Sequence, residues 1–129
     1  MTELIEGLEA VTVHVRDVER ARAFYSNVLG LKEVGTARGA PRAAFAIPGS
    51  TTLLTMHVMA ENEGGREPGT VSGIVFAHHD PPSACEEIRR RGGTIVSGPE
   101  VLTLPVGVVT RCVLADPDGN EFILRHVHP

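Results

Sequence analysis

The chain has no tryptophan, one tyrosine and four phenylalanines in 129 residues. The core needs most of these rings, so a site that stacks a planar ligand is poorly supplied, and a smaller or non-planar ligand is expected. There are two cysteines, Cys85 and Cys112, in no metal-ligand spacing. With no N-terminal leader pattern, they are expected to be free thiols in a reducing cytoplasm. No apolar run approaches the length of a membrane span. Positive charge is not in excess either. The formal net charge of −4 argues against a nucleic-acid surface. The only basic run, Arg89–Arg91, fits the last turn of a helix, where cations suit the dipole.

What is present is organised as a diverged internal repeat. Aligning Asp17 with Asp80 places VTVHVRD over IVFAHHD, Ala21 over Ala84 and Gly30 over Gly93. In each copy a short apolar strand ends in an Asp suited to cap a helix. The first helix is predicted over Val18–Leu29, with Val18, Ala21, Phe24, Tyr25, Val28 and Leu29 as its apolar face. The second is predicted over Ser83–Arg91, with Pro81 and Pro82 at its start. Gly30 and Gly92–Gly93 stop the two helices. Three strand-like runs follow each helix: about 32–38, 42–47 and 51–59, then about 93–96, 106–115 and 121–127. The last two runs flank Asp116–Asn120, DPDGN. Here Pro117 fixes φ for a turn corner and Gly119 tolerates a positive φ.

The length suits a single α+β domain with its own core. It is expected to hold two tandem βαβββ modules, at about 8–59 and 71–127, joined by a Gly- and Glu-rich linker at about 60–70.

The segments D-x-x-R-A-x-x-FY-x-x-x-LG-L at Asp17–Leu31, A-C-E-x-I-R-x-x-GG at Ala84–Gly93, and DPDGN occur in that order. Together they resemble the vicinal oxygen chelate superfamily, which includes glyoxalase I, extradiol dioxygenases, fosfomycin-resistance enzymes and bleomycin-resistance proteins. The resemblance covers about 8–126. It implies that the sheets curl into a half-open barrel around a cleft, with the helices outside. It also implies that metal-using members hold a cation there on the first and last strands of each module. Those positions fall on Ala10, Gly73 and Ile123, with the end of the first module near Thr55. Ala, Gly and Ile side chains cannot ligate a metal. The resemblance therefore implies a metal-free member, with no cofactor expected.

Strand alternation indicates what lines the cleft instead. Val11, Val13 and Val15 suit the helix side, which leaves Thr12 and His14 facing inward. Leu54, Met56 and Val58 do likewise, leaving Thr55, His57 and Met59. Phe122 and Leu124 leave Glu121, Ile123 and Arg125. Thr12, His14, Thr55, His57, Glu121 and Arg125 are accordingly the candidate ligand-binding residues, on an apolar base that includes Val75. Each also has a plainer explanation. His14 and His57 can be half-buried strand residues bonded to backbone. Glu121 and Arg125 can pair as a solvated rim, and His78 and His79 can be surface residues before the Asp80 cap. A rearranged metal site of His14, His57 and Glu121 is opposed by reach, because His14 lies roughly 13 Å beyond Ala10 at strand rise.

Two functions stay open. One is a glyoxalase- or bleomycin-resistance-like protein that binds a small organic molecule without chemistry. The other is a lyase, isomerase or dioxygenase-type enzyme that uses a cleft His as base or a rearranged metal site. The expected partners are a small-molecule ligand and a second copy in a homodimer, with no nucleic acid and no membrane.

Overall fold

The computed structural model describes residues 4–35, 42–58 and 71–129. The expected linker and Met59 lie outside the described residues.

Both Asp caps form. The Asp17 carboxylate accepts from the backbone N–H of Glu19 (2.9 Å) and Arg20 (3.2 Å), and so starts α1, Val18–Ala23. The helix then widens into a π-type turn over Phe24–Val28, with Leu29 N–H donating to the Phe24 carbonyl at 3.1 Å. The extra residue per turn re-aims this segment, and both Phe24 and Tyr25 are buried. The Asp80 carboxylate accepts from Ser83 N–H (3.4 Å) at the start of α2, Pro81–Arg90. Arg89 and Arg90 occupy the last turn of α2. Glu87 is paired with Arg90 and Arg91, whose hydrogen bonds hold its carboxyl down at about 2.

The strands are β1 Ala10–Val15, β2 Lys32–Glu33, β3 Arg42–Ala46, β4 Leu53–Val58, β5 Val71–Ala77, β6 Thr94–Leu104, β7 Gly107–Ala115 and β8 Glu121–Val127. They make two four-stranded sheets of matching order, β1-β4-β3-β2 and β5-β8-β7-β6. In each sheet the first strand pairs in parallel with the last, and the others are antiparallel. These are the tandem βαβββ modules. The sheets are not hydrogen-bonded into a closed barrel, and β1 and β5 are edge strands.

Two expectations need correction. The run expected at 93–96 is the much longer β6. Ser97-Gly98-Pro99 reads as a break, but register shifts between Ile95 and Glu100 absorb it. Gly98 lets the strand press on β7, because a Cβ there would sit 2.8 Å from the Arg111 carbonyl oxygen. The cysteines are not far apart in space. The structure brings the sulfurs of Cys85 in α2 and Cys112 in β7 into contact, with the Cα atoms 7.3 Å apart. Helix packing over the sheet brings together residues that sequence spacing kept apart.

A single core serves both modules. Val13, Val15, Phe45, Leu54 and Met56 supply it from the first sheet, and Cys112, Leu114, Phe122 and Leu124 from the second. The Tyr25 ring bridges them, 5.8 Å from Phe45 and 6.0 Å from Phe122. Its hydroxyl donates to Asp116 Oδ2 at 2.8 Å. Burial, with Asp116 beside it, pushes the phenol far above its ordinary range.

The DPDGN turn completes the join. Asp116 Oδ1 accepts from the N–H of Asp118 and of Asn120, each at 2.9 Å. Asp118 Oδ1 accepts from the Arg16 N–H (3.1 Å) and the Arg20 guanidinium (2.7 Å). Asn120 Nδ2 donates to the His14 carbonyl at 2.8 Å. The turn of the second module is therefore bound to the first strand and helix of the first.

Candidate functional site

Parallel pairing of β1 with β4 sets the first group of candidates. Thr12 lies opposite Thr55, and His14 opposite His57. The alternate residues Val13, Val15, Leu54 and Met56 are buried, so the polar set occupies the face turned away from the core. Thr12 and Thr55 share a hydroxyl–hydroxyl bond of 2.7 Å, and Thr55 also donates to the Val11 carbonyl at 3.3 Å. The His14 and His57 rings are 6.4 Å apart. His14 Nδ1 is buried with no partner, a costly state for a polar nitrogen.

The second group lies on the other sheet. Glu121, Ile123 and Arg125 alternate with buried Phe122 and Leu124. Ala115 lies opposite Glu121, Val113 opposite Ile123 and Arg111 opposite Arg125. No ion pair joins Glu121 to Arg125 among the described residues. Arg111 is held by Glu100 at 3.0 Å, whereas Arg125 meets no carboxylate among the described residues.

Arg125 lines an open-sided cavity of about 650 Å³ with His78, His79, His126, Val75 and Phe76. Sequence reasoning left His78 and His79 on the surface and gave His126 no role. The signal that gathers them is the β5–β8 register, which sets Ala77 opposite Arg125. A second cavity of about 660 Å³ lies on the helix side, among Leu29, Leu31, Phe76, Ile88, Leu114 and Leu124. In the single chain neither cavity takes in Thr12, His14, Thr55, His57 or Glu121.

A family model described as the Glyoxalase/Bleomycin resistance protein/Dioxygenase superfamily matches residues 7–124. The chain belongs to this superfamily. Within it, the chain is similar to the lactoylglutathione lyase of Salmonella typhimurium, 30% identical over 118 residues, covering 87% of this chain and 86% of the relative. A superfamily member from Sphaerobacter thermophilus has a similar structure, with a TM-score of 0.80, 29% identity, and coverage of 95% of this chain and 98% of that one. The antibiotic-binding protein TnmS3 from Streptomyces shares the fold, with a TM-score of 0.79 and 24% identity, covering 98% of this chain and 100% of that one.

The metal that the superfamily resemblance implies does not fit the residues present. At Gly73 the backbone takes φ +76° within a register shift of β5 against β8, and offers no side chain. Ala10 and Ile123 carry no donor. The Thr55 hydroxyl is engaged by Thr12 and by the Val11 carbonyl. Among the described residues, no three His, Cys, Asp or Glu side chains gather closely enough to hold an ion.

Proposed function

We propose that this superfamily member binds a small organic molecule against the inner faces of its two sheets, without the metal chemistry of a lyase. The observation that carries the reading is chemical. The positions expected to hold an ion present Ala10, Gly73 and Ile123, while Thr12, His14, Thr55 and His57 set hydroxyl and imidazole groups side by side on the same sheet face. Glu121 and Arg125 would close the site from the second sheet. A few polar groups on an apolar base suit recognition of a small polar ligand.

The reading also includes a two-fold homodimer. The edge strands β1 and β5 are surfaces that a second copy would cover. Cytoplasmic residence and the absence of a nucleic-acid partner belong to the same reading. No described helix is long and apolar enough to cross a membrane. The Cys85–Cys112 contact removes the thiol argument for the cytoplasm.

Lactoylglutathione lyase assays with and without added Ni²⁺, Zn²⁺ or Mn²⁺ test the proposal, together with a thermal-shift screen of small organic ligands. The expected result is no turnover, and a ligand-dependent rise in Tm that His57→Ala removes. Turnover that depends on one bound ion per chain would overturn it.

The unpartnered His14 Nδ1 favours a second reading, in which a cleft imidazole acts as general base in a metal-independent lyase or isomerase. A pH–rate profile with a limb in the histidine range, lost in His14→Ala, would select it.

A further inference from the structure

We propose that the cavity at the C-terminal ends of β5 and β8 is a site for a small oxyanion. The ligand would be a carboxylate or phosphoryl group on a short apolar body, held by Arg125 and the imidazoles around it. This deepens the reading above, because it gives Arg125 a ligand group. It uses none of the residues of the first sheet, so the two can fail separately.

The charge pattern comes first. The chain is acidic as a whole, with a formal net charge of −4, yet among the described residues no carboxylate lines this cavity. The arginines of α1, α2 and β7 each meet a glutamate or aspartate. Among the described residues Arg125 meets none, and its cross-strand neighbour Arg111 is already neutralised by Glu100. A half-buried guanidinium with no counter-ion among the described residues is poised for an anion, and its planar fork suits two oxygens at once.

Donor geometry is the second observation. Asp80 N–H donates to His78 Nδ1 at 2.8 Å. That nitrogen therefore acts as an acceptor, and the ring proton sits on Nε2, leaving the far edge of His78 a donor. The His78 and His79 rings stack with centroids 4.5 Å apart, which sets two imidazoles in one wall. His126 is braced edge-on by His128 at 4.9 Å, and His128 Nε2 is hydrogen-bonded to Thr110 at 2.7 Å. The bond to Asp80 N–H holds His78 before any ligand arrives, which lowers the cost of binding. Val75 and Val127 supply an apolar wall for the body of the ligand.

The test is isothermal titration of the full-length chain with phenyl phosphate and, separately, with benzoate. At least one should bind, and the preference between them identifies the anionic group. Arg125→Ala should weaken binding by roughly tenfold or more, and exposed His79→Ala, which leaves the core untouched, by about threefold. Ser50→Ala, in the exposed turn between β3 and β4, should leave it within about twofold. Failure of both probes to bind overturns the proposal, as does binding that His79→Ala and Arg125→Ala leave within about twofold. Binding that His57→Ala removes but His79→Ala does not would overturn the cavity while sustaining the inner-face site.

Discussion

The turn between β7 and β8 and its counterpart between β3 and β4 hold equivalent places in the two modules, but they are built on opposite principles. Asp116, Asp118 and Asn120 are buried and bonded into the first module. Residues 48–51 of the other turn are exposed, and their bonds are local, such as Thr52 N–H to the Ser50 hydroxyl at 2.9 Å. A duplicated turn can stay a simple reversal or become the fastening between halves. Burial of its polar groups shows which has happened, because such groups are tolerated inside only when bonded.

Breaking the fastening should have the largest effect. Asp116→Ala removes the acceptor for Tyr25, Asp118 and Asn120 and should cost roughly 3–5 kcal/mol, read from the urea midpoint. Ser50→Ala in the exposed turn should stay within about 0.5 kcal/mol. Equal losses in the two variants would erase the distinction.

Alkaline pH probes the same fastening. Native Tyr25 holds its proton well above the ordinary phenol range, whereas the unfolded chain ionises near pH ~10. A raised folded-state value contributes stability that is fully present below that pH and is lost as pH rises beyond it, by about 1.4 kcal/mol per pH unit. Tyr25 is the chain's one tyrosine, so tyrosinate absorbance should appear together with unfolding. Absorbance that rises while the fold stays intact would contradict a buried phenol. Tyr25→Phe should cost about 1–2 kcal/mol and abolish the alkaline loss.

The inner face should respond the other way. Thr55→Val breaks the exposed bond to Thr12 and should change stability by less than about 1 kcal/mol while weakening ligand binding. The smallest effect belongs to Glu87. Its lowered value contributes stability present above the ordinary carboxylate range and lost as pH falls towards about 2. Because Arg90 and Arg91 lie at the surface, salt should screen most of it. Acid titrations of wild type and Glu87→Gln at low and high salt would measure the difference.

Both Asp caps, both helices and the strand–turn–strand at DPDGN could be read from the chain, because each depends on neighbours within a few residues. Period-2 alternation likewise separated Val13, Leu54 and Phe122 from Thr12, His57 and Glu121, and the two sides differ in burial as expected. What escaped depends on pairing between distant strands. DPDGN read as a turn and a family landmark but not as a fastening, since its hold on Arg16 and Tyr25 requires the modules to pack. His79 is exposed, as a surface residue should be, but only the pairing of β5 with β8 sets His78 and His79 on the same cavity as Arg125. The length of β6 was hidden by a Gly-Pro pair that the bulged register absorbs.

The fastening also bears on how the protein is made. Tyr25 and Asp116 are separated by 91 residues, and the strand end at His14 lies 106 residues from Asn120. During synthesis the first module leaves the ribosome on the order of ten seconds before its binding partners exist. Until then its Tyr25 hydroxyl lacks Asp116, Arg16 and Arg20 lack Asp118, and the cross-sheet ring contacts of Tyr25 are half made. The nascent chain should therefore stay open to proteases and chaperones until its last strand is translated, then close in one cooperative step. Premature termination before Asp116 would leave no folded remnant to accumulate.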